Sequence, residues 1–151
     1  MKKIVNRGFT LIELLVVIGI LAVLLAITLI AINPARQFAQ SNNTKRASDV
    51  NAILNAINQY QTDNRGSLPA GITGVAQNVA DTGADICTIL VPTYIAQLPV
   101  DPSINNGTAL SAADCAAAYD TGYTVVQSAT DNRITVTAPQ AELSATIQVT
   151  R

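Results

Sequence analysis

Hydrophobic and polar positions divide the chain into three stretches. From Leu14 to Ile32 every residue is apolar apart from Gly19 and Thr28, and a single acid, Glu13, stands at the leading edge of the run. These nineteen residues are about the length an α-helix needs to cross a bilayer core of ~30 Å. Lys2, Lys3 and Arg7 precede the run, so the positive-inside rule keeps the first residues in the cytoplasm. Pro34 lies just beyond it, where the missing N–H and the ring kink or interrupt the helix. The second stretch holds Phe38, a polar patch from Gln40 to Arg46, and then Val50, Ile53, Leu54, Ile57 and Tyr60 at amphipathic-helix spacing. Asp63-Asn64-Arg65-Gly66 predicts the stop, with Gly66 as left-handed cap and Pro69 preventing resumption. Phe9 to Asn64 would measure roughly 80 Å if wholly helical.

The third stretch alternates loops with β-branched segments. Gly71 to Gly83 lacks a strong period and is expected to be mainly loop. Asp85–Val91 predicts a short helix, and Leu98-Pro99-Val100-Asp101-Pro102 a turn or extended segment. Tyr123–Ser128 and Arg133–Ala138 read as strands, with Thr130-Asp131-Asn132 as the hairpin turn between them. Ala145–Val149 alternates and adds a third strand. The predicted fold is α+β, a long N-terminal helix packed on a small antiparallel sheet.

The N-terminal order is specific. Lys2-Lys3, then Arg7-Gly8-Phe9-Thr10-Leu11-Ile12-Glu13-Leu14-Leu15 and the apolar run resemble the class III leader of type IV prepilins and type II secretion pseudopilins. The resemblance implies that a membrane aspartic peptidase cuts between Gly8 and Phe9 and N-methylates Phe9, and that Glu13 takes the place of the family's glutamate. It covers roughly the first third of the chain. A carboxylate within a membrane segment is costly and marks a functional site. Cleavage would free an amine at Phe9, and an amine and a carboxylate offset each other's desolvation in low dielectric. In a filament of staggered helices, Glu13 of an incoming subunit would meet the Phe9 amine of its neighbour and set the register. The simpler alternative places Glu13 at headgroup level, solvated. An ordinary secretory signal has a shorter apolar core. A lipoprotein signal needs a cysteine at the cut, and the first one here is Cys87.

The later order, a helix ending near Gly66, a Leu-Pro-x-Asp-Pro element and a Tyr-containing hairpin, also resembles pseudopilin heads. It departs from the major pseudopilin pattern because no Trp-Gly follows Pro102. Asp101, Asn105, Asp114 and Asp120 supply hard oxygen ligands and are weak calcium candidates; no other cofactor is indicated.

Charge narrows the function classes. The formal net charge is −1, but loss of residues 1–8 would remove three of nine basic residues against ten acids, leaving about −4. After Ser67 seven acids face only Arg133 and Arg151, which argues against direct nucleic-acid binding. Without histidine, every Ser-His or Cys-His nucleophile arrangement is excluded, and an enzyme is not expected. Cys87 and Cys115 fall outside the cytoplasm on the orientation above, where a disulfide would persist. Closing that loop would contribute ~3–4 kcal/mol in the chain-entropy model. The alternative is two buried thiols.

The expected organisation is a leader, residues 1–8; a membrane and filament-core helix, 9–33; its amphipathic extension, 34–66; and an extracytoplasmic head, 67–151. The expected function is a structural precursor that waits in the inner membrane and polymerises with itself into a helical type IV pilus-like filament. The alternatives are a secretion pseudopilin forming a short piston filament, and an unprocessed single-pass anchored binding module. The resemblance implies three partners: the prepilin peptidase, an assembly ATPase and a platform protein. The filament would then lie at the cell surface or span the periplasm.

Overall fold

The computed structural model describes residues 8–151, so the leader residues Lys2, Lys3 and Arg7 lie outside the described residues. The chain forms two compact units, the first ending at Phe38 and the second comprising Ala39–Arg151.

In the first unit, α1 spans Leu11–Ile32 and none of its residues is buried. A helix suits this sequence because it pairs the backbone groups of the segment internally, apart from those at its ends, while exposing side chains that are apolar except for Glu13 and Thr28. The one hydroxyl in its middle, Thr28, donates back to the Leu25 carbonyl at 2.9 Å. α1 ends at Asn33, which is left-handed at φ 45° and ψ 79°. Proline disfavours the helical region for the residue before it, so Pro34 forces this break. α2, Pro34–Asp63, then begins with proline at its first position, where no N–H is needed. The Asn33 carbonyl accepts the Arg36 N–H at 3.1 Å, so one residue both ends α1 and starts α2.

The second unit is built around the later part of α2. Val50, Ile53, Leu54 and Ile57 are fully buried, as their spacing predicts. They join one core with Tyr123, Val125, Ile134 and Val136 from a four-stranded antiparallel sheet of order β1-β2-β3-β4. The strands are β1 Gln77–Ala80, β2 Asp120–Gln127, β3 Ile134–Thr137 and β4 Gln148–Thr150. Val125 faces Val136, which faces Val149. Along β2, Thr121, Tyr123 and Val125 are buried in alternation with more exposed residues, the period-two pattern of a half-buried strand. The unit takes in α2 from Ala39 because the apolar stripe of α2 is the other half of this core.

Several elements depart from the expected bounds. α2 stops at Asp63, and the left-handed cap takes in Arg65 (φ 56°) as well as Gly66 (φ 87°), whose N–H reaches back to the Gln61 carbonyl at 2.7 Å. The short helix α3 covers only Cys87–Leu90. β4 begins three residues later than expected, after Leu143 and Ser144, which are both left-handed. β1 lies inside the stretch expected to be mainly loop. Gln-Asn-Val-Ala carries one β-branched residue, and it becomes a strand because β2 is there to pair with: Gln77 faces Val125, and the register shifts after Asn78.

Candidate functional site

Gly8, Phe9 and Thr10 precede α1 and are exposed. Thr10 is the N-cap, in extended conformation, and together with Glu13 forms a capping box. Thr10 Oγ1 accepts the Glu13 N–H at 3.3 Å. Glu13 Oε2 accepts both the Thr10 N–H and the Thr10 hydroxyl at 2.8 Å. This box satisfies donors that a helix start leaves without partners. It also folds the carboxylate back toward the residue that would become the N-terminus. From Leu11 to Ile32, α1 runs for 22 residues, long and apolar enough to cross a membrane. Among the described residues, no atom lies within 4 Å of a Cβ added at Gly8.

The cysteines of the head form a disulfide, Cys87–Cys115, with Cα atoms 5.4 Å apart. It ties α3 to a 3-10 turn at Asp114–Ala116 and closes the long excursion between β1 and β2. Tyr119 braces the same corner, donating its hydroxyl to Asp85 at 2.9 Å and accepting the Cys87 N–H at 3.3 Å. Burial first, and the Asp85 carboxylate second, push the Tyr119 hydroxyl well above the usual tyrosine range.

The four calcium candidates do not act as one group. Asn105, Asp114 and Asp120 line one cavity of about 260 Å³ with Leu110 and Tyr119. Asp114 is engaged by the Ser111 N–H and hydroxyl at 2.8 and 2.6 Å, and Asp120 by the Gly122 N–H at 2.8 Å. Asp101 is fully buried and has a different role. Its two oxygens take a bidentate pair from Arg46, Nε at 2.7 Å and Nη2 at 3.0 Å. Among the described residues, no three His, Cys, Asp or Glu side chains come together as a metal-binding group.

The Arg46 centre is the feature the sequence reading missed. Arg46 lies in the polar patch of α2, yet its side chain is 1% exposed. Besides Asp101 it donates Nη1 to Glu142 at 2.8 Å and to Asn43 at 3.1 Å. Asn43 and the Glu142 backbone exchange two further bonds, at 2.8 and 2.9 Å, and Asn42 reaches the Glu142 carboxylate at 3.0 Å. One helical turn on, Asp49 accepts the Tyr123 hydroxyl at 2.7 Å. This polar patch is thus a seam fixing α2 to the Leu98–Pro102 element, to the loop before β4 and to β2. The acids titrate in opposite senses. For Asp101, burial works to raise the carboxyl, but the Arg46 and Ser103 hydrogen bonds together outweigh it and hold it below the usual range. Burial raises Asp49, against the Tyr123 hydrogen bond that lowers it.

Residues 5–29 match the prokaryotic N-terminal methylation motif. No curated protein and no solved structure matches the chain. The matched segment holds Gly8, Phe9, the Thr10–Glu13 box and most of α1, so motif and helix coincide. The motif implies processing by a prepilin peptidase and filament assembly in general, and with the apolar helix it supports membrane anchoring. By this motif, the N-terminal segment is similar to the class III leader of type IV prepilins and pseudopilins.

Proposed function

We propose that this chain is a prepilin: a structural subunit cut between Gly8 and Phe9, N-methylated on Phe9, and polymerised through its apolar helix into a type IV pilus-like filament. The observation that carries this reading is the methylation motif lying on a 22-residue apolar helix of which no residue is buried. Burying one large apolar side chain is worth ~1.5–3 kcal/mol, so a helix that exposes them all round needs lipid first and other helices later. Lipid serves the waiting subunit, and neighbouring α1 helices serve the filament. Exchanging one apolar environment for another loses little, which suits a subunit that must leave the bilayer as it assembles.

Glu13 supplies what apolar contacts lack, a preferred register. Hydrolysis of the Gly8–Phe9 bond frees a cationic amine. A carboxylate one helical turn along a neighbouring chain is its natural partner in low dielectric. Sliding the helices separates the two charges, whereas apolar contacts survive the slip. An assembly ATPase and a platform protein would supply the work and the site of addition, with the head outside the cytoplasm. The secretion-pseudopilin reading draws on the Leu98–Pro102 element, whose Asp101 anchors α2.

The deciding measurement is the mass of the mature N-terminus from native membranes. A chain beginning at N-methylated Phe9 supports the prepilin reading, and an intact Met1 or a cut beyond Ile32 removes it in favour of an anchored or secreted domain. Filament length and location then separate pilus from secretion filament.

A further inference from the structure

Among the described residues of the head unit, the exposed large apolar side chains are Val75, 70% exposed, and Leu143, 52% exposed. A single exposed apolar residue needs no explanation. Leu143 differs in its backbone. It has φ 58°, and Ser144 after it has φ 56°, both in the left-handed region that favours glycine and asparagine. A leucine held there costs conformational energy, and this one is not part of the head's core. Such outliers cluster where a surface is used. The residue before it fixes the loop. The Glu142 N–H donates to Asn43 Oδ1, its carbonyl accepts from Asn43 Nδ2, and its carboxylate accepts from Asn42 and Arg46. Leu143 is therefore presented from a loop anchored on α2.

The sheet sets the two residues apart. β1 and β4 are its edges. Val75 lies just before β1, whose Gln77 faces Val125, and the nearby Thr73 carbonyl accepts the Gln127 N–H at the end of β2. Leu143 lies between β3 and β4, beyond Thr137, which faces Thr124 on β2 and Gln148 on β4. Ile134, at the other end of β3, is the residue that faces Gln127. Val75 and Leu143 thus sit by opposite edges and toward opposite ends of one sheet. A closed dimer uses one self-complementary patch, whereas an open head-to-tail series uses two different patches on every copy. We propose that Leu143 of one copy packs against Val75 of the next, forming a lateral contact between heads in the assembled filament. This inference rests on the prepilin reading above. Two such side chains bury far less than the ~800 Å² per partner of a stable interface. The contact cannot hold free heads together. It operates once α1 helices keep the copies close, where a second weak contact becomes effectively intramolecular. An anchored loop suits this task because it has little freedom left to lose on contact.

The test uses full chains expressed in cells. The double variant Val75→Cys/Leu143→Cys is oxidised in sheared filaments and, separately, as mature subunits in detergent, with each single variant alongside. The filaments of the double variant are expected to give a ladder of covalent dimers and higher species on a non-reducing gel. Peptide mass spectrometry should place the bond between positions 75 and 143 of different copies. Single variants and detergent-dispersed subunits should give no ladder. Filaments that form without this bond, or an equal ladder in detergent, would overturn the inference while leaving the prepilin reading standing. Leu143→Gly supplies a second readout, because it removes the side chain and relieves the left-handed strain together. It should not lower the urea midpoint of the chain in detergent, yet its filaments should dissociate at a lower temperature than unaltered ones. Filaments of Leu143→Gly as heat-stable as the unaltered ones would count against the contact just as firmly. Failure of the unaltered chain to form filaments at all would instead remove the prepilin reading, and the contact with it.

Discussion

Arg46 and Asp101 show how much one residue pair carries in this head. Both side chains are essentially removed from solvent and meet in a bidentate pair. Removing one partner strands a buried charge, so Asp101→Ala is expected to destabilise the chain by ~3–5 kcal/mol. Urea unfolding in detergent, followed by the near-ultraviolet circular dichroism of the tyrosines, measures this. Glu142→Ala should cost far less, because Glu142 is 41% exposed and water can take its place on Arg46. The pH dependence has a defined sign. Asp101 is held below its unfolded value, so the unfolded chain binds more protons in the acid range and stability rises with pH there. Its contribution is whole above the unfolded value of ~3.9 and is lost as pH falls through the lower folded value. Asp49 is raised, so its folded form keeps a proton that the unfolded form has released, and it adds stability only on acidification. Asp101→Asn should therefore flatten the acid limb of the urea midpoint plotted against pH, and Asp49→Asn should steepen it.

At the scale of elements, the excursion between β1 and β2 is where order depends most on a covalent tie. It spans some forty residues with only α3, two 3-10 turns and the Leu98–Leu110 bridge as regular structure. The disulfide closes 28 residues of it. Replacing both cysteines by serine is expected to lower stability by ~3–4 kcal/mol, read as the difference in urea unfolding. A second local demand sits at Gly122, which has φ +74° and lies where a Cβ would press on Ile104 and Asp101. Gly122→Ala should destabilise by more than ~1 kcal/mol, since alanine must adopt a left-handed backbone and also displace the Asp101 side chain.

For the whole molecule, a folded head and an apolar helix with no buried residue answer separate requirements. The head is stabilised by its own core and the Arg46 seam, and α1 by whatever apolar medium surrounds it. On the prepilin reading, Gly8 links that design to processing. Because a side chain there meets nothing among the described residues, Gly8→Val should leave the tyrosine circular dichroism and membrane insertion unchanged. On the prepilin reading it should slow leader cleavage roughly tenfold or more by clashing with the peptidase. Pulse-labelling of precursor and mature forms checks it, and unimpaired cleavage would place the peptidase's requirement elsewhere.

The sequence by itself determined what short-range pattern encodes. An unbroken apolar run must be a helix exposed to an apolar medium. The stripe from Val50 to Ile57 must face a core, and a proline after Asn33 must break the helix. β-branched segments around Thr130–Asn132 must form a hairpin. The methylation motif at residues 5–29 is contiguous and so was legible in the sequence. The tertiary structure alone decided what depends on partners distant along the chain. Gln77–Ala80 has little strand character until β2 lies beside it. Arg46 reads as one polar residue among several until Asp101, 55 residues away, and Glu142, 96 away, converge on its guanidinium. Asp101 reads as a loop acid for the same reason. Residue type sets the strength of such an interaction, but only the fold brings the charges within hydrogen-bonding distance and removes the water between them.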